Sequence, residues 1–324
     1  MPIRKSDYES YDYQEFWEDD KRFYEDQSER IALRAMLRGE KSQDRLFIDI
    51  GCGYGRLFNE YCRFSRIVLV DYSMNNLKNA RIRISKFLSE TGGRIPRVLY
   101  IAADATRLPF RSGAADGILT VRVVHHLEYP GKYFDEVSRI LKKGGLYLFE
   151  FANKRNIKNI LRSFIGKMDV SPFNKVPSQV GETIKNYHPA DINDQLSSRD
   201  INIEKIISVS NFRLGPLKKI LGNRILIFFE RIYQKLFSFM TFGPSIFIKG
   251  RNTSFRDRRS GGGGTAEIKL PEGIIPADVI SHFIDILICP GCKENGIELD
   301  REKIVCRACG RSFLIDKGII DFKI

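Results

Sequence analysis

The run 46–55, LFIDIGCGYG, constrains the fold more than any other part of this chain. A short apolar strand carries Asp49 near its end, and three alternate glycines, Gly51, Gly53 and Gly55, follow at once. Glycines in such a loop let backbone approach a ligand where a side chain would clash. A dinucleotide-binding loop would read GxGxxG, with glycine at position 56. Arg56 stands there instead, and the spacing is GxGxG.

A regular alternation surrounds the loop. Apolar strands are expected at 46–50, 66–70, 97–101, 116–121 and 146–151, with helices at about 56–64, 74–89 and 130–141. A further strand pair is expected at 201–210 and 245–250. Strands alternating with helices predict an α/β fold, a Rossmann-like doubly wound sheet with helices on both faces. Ligands of such a sheet bind at the carboxyl ends of the strands. The aromatic segment 1–42, with Tyr8, Tyr13 and Trp17, is expected to fold over the site as a helical lid.

Four elements in order, DIGCGYG at 49–55, VLVDYS at 68–73, AADATRLPF at 102–110 and ILKKGGLYLFE at 140–150, resemble a class I S-adenosylmethionine (SAM)-dependent methyltransferase. The similarity is greatest to the ubiquinone and menaquinone methyltransferases. The resemblance implies an enzyme whose SAM site contains Asp49, Gly51, Gly53, Gly55, Asp71, Asp104 and Ala105. In it Asp49 serves the methionine amino group, Asp71 both ribose hydroxyls, and Asp104 with Ala105 the adenine. The stretch RVVHHLEYP after the fourth strand would face the methyl acceptor, and His125 or His126 is the candidate base. Adjacent helical residues diverge by about 100°, so one of the two at most faces the site. No Asn/Asp-Pro-Pro-Tyr run occurs, which argues against exocyclic-amine and glutamine-amide acceptors and for oxygen or carbon.

Cys289, Cys292, Cys306 and Cys309 form two C-x-x-C pairs with thirteen residues between them. Two such knuckles close a tetrahedral thiolate site, so a structural zinc is expected. Segment 267–324 resembles the small zinc-ribbon activator of tRNA, rRNA and release-factor methyltransferases, which implies docking on the methyltransferase domain 1–252. The Gly-rich stretch 253–266 reads as a flexible linker between the two.

Charge is uneven. Of the net +13, residues 153–260 hold 20 basic against 8 acidic side chains. Such a basic region suits RNA or an anionic membrane. Within the cap and helix region 152–240, the segment 217–240 reads as an amphipathic helix. Leu221, Ile225, Phe229, Ile232, Leu236 and Met240 share one face, with Lys218, Arg231, Gln234, Lys235 and Ser238 opposite. That face either packs on its own domain or rests on a membrane. No signal peptide or spanning helix is read, so a cytoplasmic enzyme, peripheral at the membrane through 217–240, is expected. Its function is expected to be methyl transfer to oxygen or carbon of a small or lipid-like acceptor. The alternatives are an RNA (tRNA) methyltransferase with a fused activator, or a non-catalytic SAM-fold scaffold.

Overall fold

The computed structural model describes residues 17, 22–92, 95–127, 130–180, 184–254 and 279–324. Tyr8, Tyr13 and linker residues 255–266 lie outside them. Helix α1 (Phe23–Leu37) leads into β1 (Leu46–Ile50), the short α2 (Phe58–Tyr61), β2 (Arg66–Asp71), α3 (Met74–Thr91), β3 (Arg97–Ala102) and β4 (Ala115–Thr120). Next come α4 (Pro130–Ile140), β5 (Leu141–Ala152), α5 (Ile157–Phe164), the hairpin β6 (Ser178–Val180) and β7 (Ile184–Asn186), then α6 (Pro189–Ser197). The strands β8 (Ile201–Val209) and β9 (Ser245–Asn252) flank α7 (Gly215–Leu236). The carboxyl-terminal unit contributes β10 (Ile297–Asp300), β11 (Lys303–Cys306), β12 (Ser312–Asp316) and β13 (Ile319–Asp321).

All these strands except the β6–β7 hairpin join one sheet, in the order β10-β11-β12-β13-β3-β2-β1-β4-β5-β9-β8. Its centre, β3-β2-β1-β4-β5, is parallel. Parallel strands are covered on both faces, which is why β1 and β2 are near-continuous apolar runs. Ile48, Val68, Ile101 and Ile118 point into one apolar layer. Phe47, Leu69, Tyr100 and Leu119 point into the other. Helix α3 starts on Ser73, whose side chain accepts a hydrogen bond from the Asn76 N–H, and stops at Gly92 in the left-handed region.

The carboxyl-terminal unit lengthens the sheet. Strand β13 lies parallel to β3 with Ile320 opposite Ile101. The Phe322 N–H donates to the Ala102 carbonyl, the Ile288 N–H to Pro109, and the Arg111 N–H back to Ile286. Phe283, Leu287, Phe313 and Phe322 are buried in the same apolar layer as Leu99 and Phe110. Lys293 pairs with Glu136 at 2.9 Å, and Lys78 with Asp316 at 2.9 Å. Adding β13 satisfies an edge that would otherwise present unpaired backbone.

Helix α7 departs from the sequence reading in two ways. Gly222, at φ 70° and ψ 162°, breaks it, and the helix ends at Leu236 rather than 240. The face turned to the protein is Leu226, Ile227, Glu230 and Gln234. Tyr24 Oη donates to Glu230 at 2.6 Å, and Gln234 Nε2 donates to the Ser28 carbonyl, fastening α7 to α1. Of the expected apolar stripe, Ile225, Phe229, Ile232, Leu236 and Met240 are exposed, while Leu221 is half-buried against Tyr24, Leu226 and Ile227. That apolar cluster and the polar partners on α1 together set the buried side.

Candidate active site

A cavity of about 180 Å³ opens at the carboxyl ends of the parallel strands. Ile50, Gly51 and Gly53 form its floor, Asp71 and Tyr72 follow β2, Ala103, Asp104 and Ala105 follow β3, and Val121 to Val123 follow β4. Gly51 sits at φ +76°, and a Cβ there would meet Val123 Cγ2 at 2.0 Å. The close approach of two loops, as well as the backbone conformation, therefore requires glycine.

Asp71 ties the loops together. Its Oδ2 accepts from the Gly53 N–H at 2.8 Å; its Oδ1 accepts from the Ser73 N–H at 3.0 Å and from Asn76 Nδ2 at 3.2 Å. A carboxylate offers about four lone-pair positions, so the protein already takes most of them. Asp104 Oδ1 accepts from both the N–H and the hydroxyl of Thr106 at 2.8 Å, which fixes its carboxylate at the cavity wall.

Two residues expected at the cofactor do not line the cavity. Asp49 is buried beneath the loop, where Tyr61 Oη donates to its carboxylate. Burial first, and then the charge of Asp71, push its carboxyl up to about 7. Gly55 faces α3, where a Cβ would meet Ile84 Cδ1 at 2.9 Å, so it allows helix packing rather than ligand approach.

His125 and His126 stand in a 3-10 turn with their rings 4.2 Å apart. His126 lines the cavity; His125 is turned inward, and its Nδ1 is buried with no hydrogen-bond partner. Burial, with Arg122 adding to it, pushes His126 down to about 4, which keeps it neutral near neutral pH. His188 caps α6, its Nδ1 accepting from the Ala190 N–H.

An ionic cluster behind the cavity escaped sequence reasoning. Glu29 of α1 is fully buried, between Arg56 of the glycine loop and Arg122 of the cavity wall. Trp17 is buried over both guanidiniums, at 3.8 Å from Arg56 and 4.8 Å from Arg122. Arg122 itself has φ 62°, and its N–H donates to Glu150 at 2.8 Å. The acids of α1 were visible in the sequence, but their partners lie 27 and 93 positions away.

The four cysteines converge. Their sulfurs lie within 4.8 Å of one another, with Cys289–Cys309 and Cys292–Cys306 both at 3.7 Å. Tetrahedral metal–thiolate bonds of about 2.3 Å place sulfurs about 3.8 Å apart, whereas a disulfide needs about 2.05 Å. The donor set therefore fits a four-coordinate thiophilic metal.

Comparison with known proteins places this geometry. Residues 48–149 match the family described as a methyltransferase domain. An uncharacterized protein of Methanocaldococcus jannaschii is 31% identical over 40% of this chain and 50% of its own length. A ubiquinone biosynthesis O-methyltransferase of Caulobacter is 30% identical over 37% of this chain and 45% of its own. The chain thus spans half or less of the length of these two relatives. A SAM-dependent methyltransferase structure from Listeria monocytogenes shares the fold at TM-score 0.51 and 15% identity, covering 72% of this chain and all of that one. Residues 48–149 thus match a methyltransferase domain, and the fold around them is shared with a SAM-dependent methyltransferase structure.

Proposed function

We propose that the chain transfers the methyl group of SAM to an oxygen or carbon of a small or lipid-like acceptor. The observation that carries this reading is the cavity itself, built from the Gly51 loop and the acid-bearing ends of β2 and β3. SAM, when bound, supplies a methyl group already activated by its sulfonium. Gly51 and Gly53 would keep backbone close beneath it, Asp71 would accept from a ribose hydroxyl, and Asp104 with Ala105 would contact the adenine. Changing Asp71 to Ala removes the acceptor and the clamp on Gly53 together. SAM affinity should fall at least about tenfold, a typical consequence of losing charge-assisted hydrogen bonds; titration calorimetry showing unchanged affinity would remove the assignment.

His126 would stand as proton acceptor beside the bound acceptor. Its depressed basicity gives a sign: it is neutral above about pH 4, so its own titration leaves the rate flat between about pH 5 and 8. A rate limb near pH 6.5 that vanishes in His126→Gln would contradict that state. Label transfer from methyl-labelled SAM into fractionated cell extract tests the acceptor class. Label in RNA would replace this reading with the RNA one.

The four cysteines would hold zinc in a closed structural site, since no other described ligand completes an open position. Its part is to fold the unit that adds β13 to β3.

A further inference from the structure

Two helices of this protein carry a row of apolar side chains on their outer sides. On α5, Ile157, Leu161, Phe164 and Ile165 share one side, and all are exposed, Phe164 at 77%. The opposite side carries Asn159, Ile160 and Ser163, which are the half-buried ones. No residue of α5 is fully buried. On α7 the outward stripe is Ile225, Phe228, Phe229, Ile232 and Leu236, while Glu230 and Gln234 are buried. Phe239 extends the stripe at 72% exposure. Single exposed apolar side chains are ordinary, but a contiguous exposed patch marks an interaction surface. The Ile157 N–H donates to the Phe242 carbonyl, which brings the start of α5 against the turn that follows α7.

Charge identifies the occupant. Helix α5 and its flanks carry Lys158, Arg162 and Lys167, and α7 carries Arg224, Arg231 and Lys235 beside its stripe. Helix α5 has no acid, and the single acid of α7, Glu230, is buried against Tyr24. Apolar side chains bordered mainly by cations, with Asp169 the acid beside Lys167, match the boundary between acyl chains and anionic headgroups. An RNA surface would present the cations and stacked aromatics without an aliphatic ridge. Among the described residues no helix is long and apolar enough to cross a membrane, which leaves contact in the plane of the interface.

Position adds the functional sense. Strand β5 runs parallel to β4 and ends at Ala152, opposite Ser245, the first residue of β9. Helix α5 and the turn 237–244 therefore lie along the same edge of the sheet as the cavity.

We propose that α5, the outer stripe of α7 and the turn after it form a docking face for an anionic lipid bilayer, which brings the cavity to the membrane surface. The proposal deepens the lipid-like acceptor reading, but its test does not depend on methyl transfer. The full chain is mixed with vesicles of phosphatidylcholine, with or without phosphatidylglycerol, and sedimented. Partition onto the anionic vesicles is expected, weaker on the neutral ones and weaker with added salt. The double change Leu161→Asp, Phe164→Asp should lower partition at least about tenfold, as should Phe228→Asp, Leu236→Asp in a separate variant. These side chains are exposed, so thermal stability and binding of S-adenosylhomocysteine should be unchanged, which separates lost docking from lost folding. Absence of partition, or partition equal in the variants, overturns the proposal. So does retention on tRNA that outcompetes the vesicles and survives the apolar changes. Bilayer binding without any lipid methylation would keep the docking face and reject only the acceptor.

Discussion

Stripping the zinc proposed for the four-cysteine unit is expected to unfold residues 279–324 and leave the strand order of the cavity-bearing sheet intact. Structural zinc contributes on the order of 10 kcal/mol in small modules of this kind. Two of the four thiols, those of Cys289 and Cys306, are themselves part of the buried core, beside Ile304 and Phe313. Cys306→Ser should act as chelation does. Elemental analysis should find about one zinc per chain, in keeping with a single tetrathiolate site. After chelation, proteolysis should remove the carboxyl-terminal unit, and the uncovered β3 edge should promote aggregation. A metal-free chain that resists protease as well as the native one would show that the cysteines pack without metal.

Glu29→Ala is expected to be the most damaging single change outside the cysteines. It leaves Arg56 and Arg122 without their shared carboxylate, and removing one partner of a buried ion pair costs about 3–5 kcal/mol. For a domain of this size Tm should fall by about 10 °C. Glu29→Gln keeps the shape and an acceptor, so it should fall in between. Burial pushes this carboxyl up, but Arg122 and Arg56 outweigh that and hold it below the ordinary value of 4.5. The sign follows: the stabilisation is present above the unfolded value and is lost as pH falls through the lower folded one. The native chain should therefore lose stability on acidification below about pH 4.5 more steeply than Glu29→Ala. Binding of S-adenosylhomocysteine should weaken as well, because Arg122 lines the cavity. Calorimetric melting curves that superimpose would reject the cluster as a structural element.

The sequence carried the central sheet because its strands announce themselves. Each is an apolar run, three of the first four closed by an acid, a glycine or an alanine, and β1 through β4 begin and end within about one residue of expectation. The glycine loop and the acids after β2 and β3 were legible for the same reason: their spacing is local. The inward face of α7 was not, because it depends on Tyr24, 206 positions away. The hydrophobic pattern pointed the other way; burial of Leu226 and Ile227 beside Tyr24 and the hydrogen bonds of Glu230 and Gln234 together set the inward face. The break at Gly222 had a visible cue in the glycine itself. The C-x-x-C spacing disclosed a metal-type site, yet the partner of β13 was hidden, since an edge strand names no neighbour in its own residues. Asp49 and Gly55 lie in the expected loop, Asp49 bonded to Tyr61 beneath it and Gly55 against Ile84 of α3.

The pairing of Ile319 with Tyr100 joins residues 219 positions apart. During synthesis at about 5–20 residues per second, β3 must wait tens of seconds for the strand that completes its edge. Contacts so remote fold slowly, and an open parallel edge is a template for wrong partners meanwhile. Carrying the cap on the same chain removes the search for a separate molecule, because a tethered segment acts at an effective concentration of about millimolar. The nascent chain therefore has a period of vulnerability that ends only when its last cysteine knuckle closes.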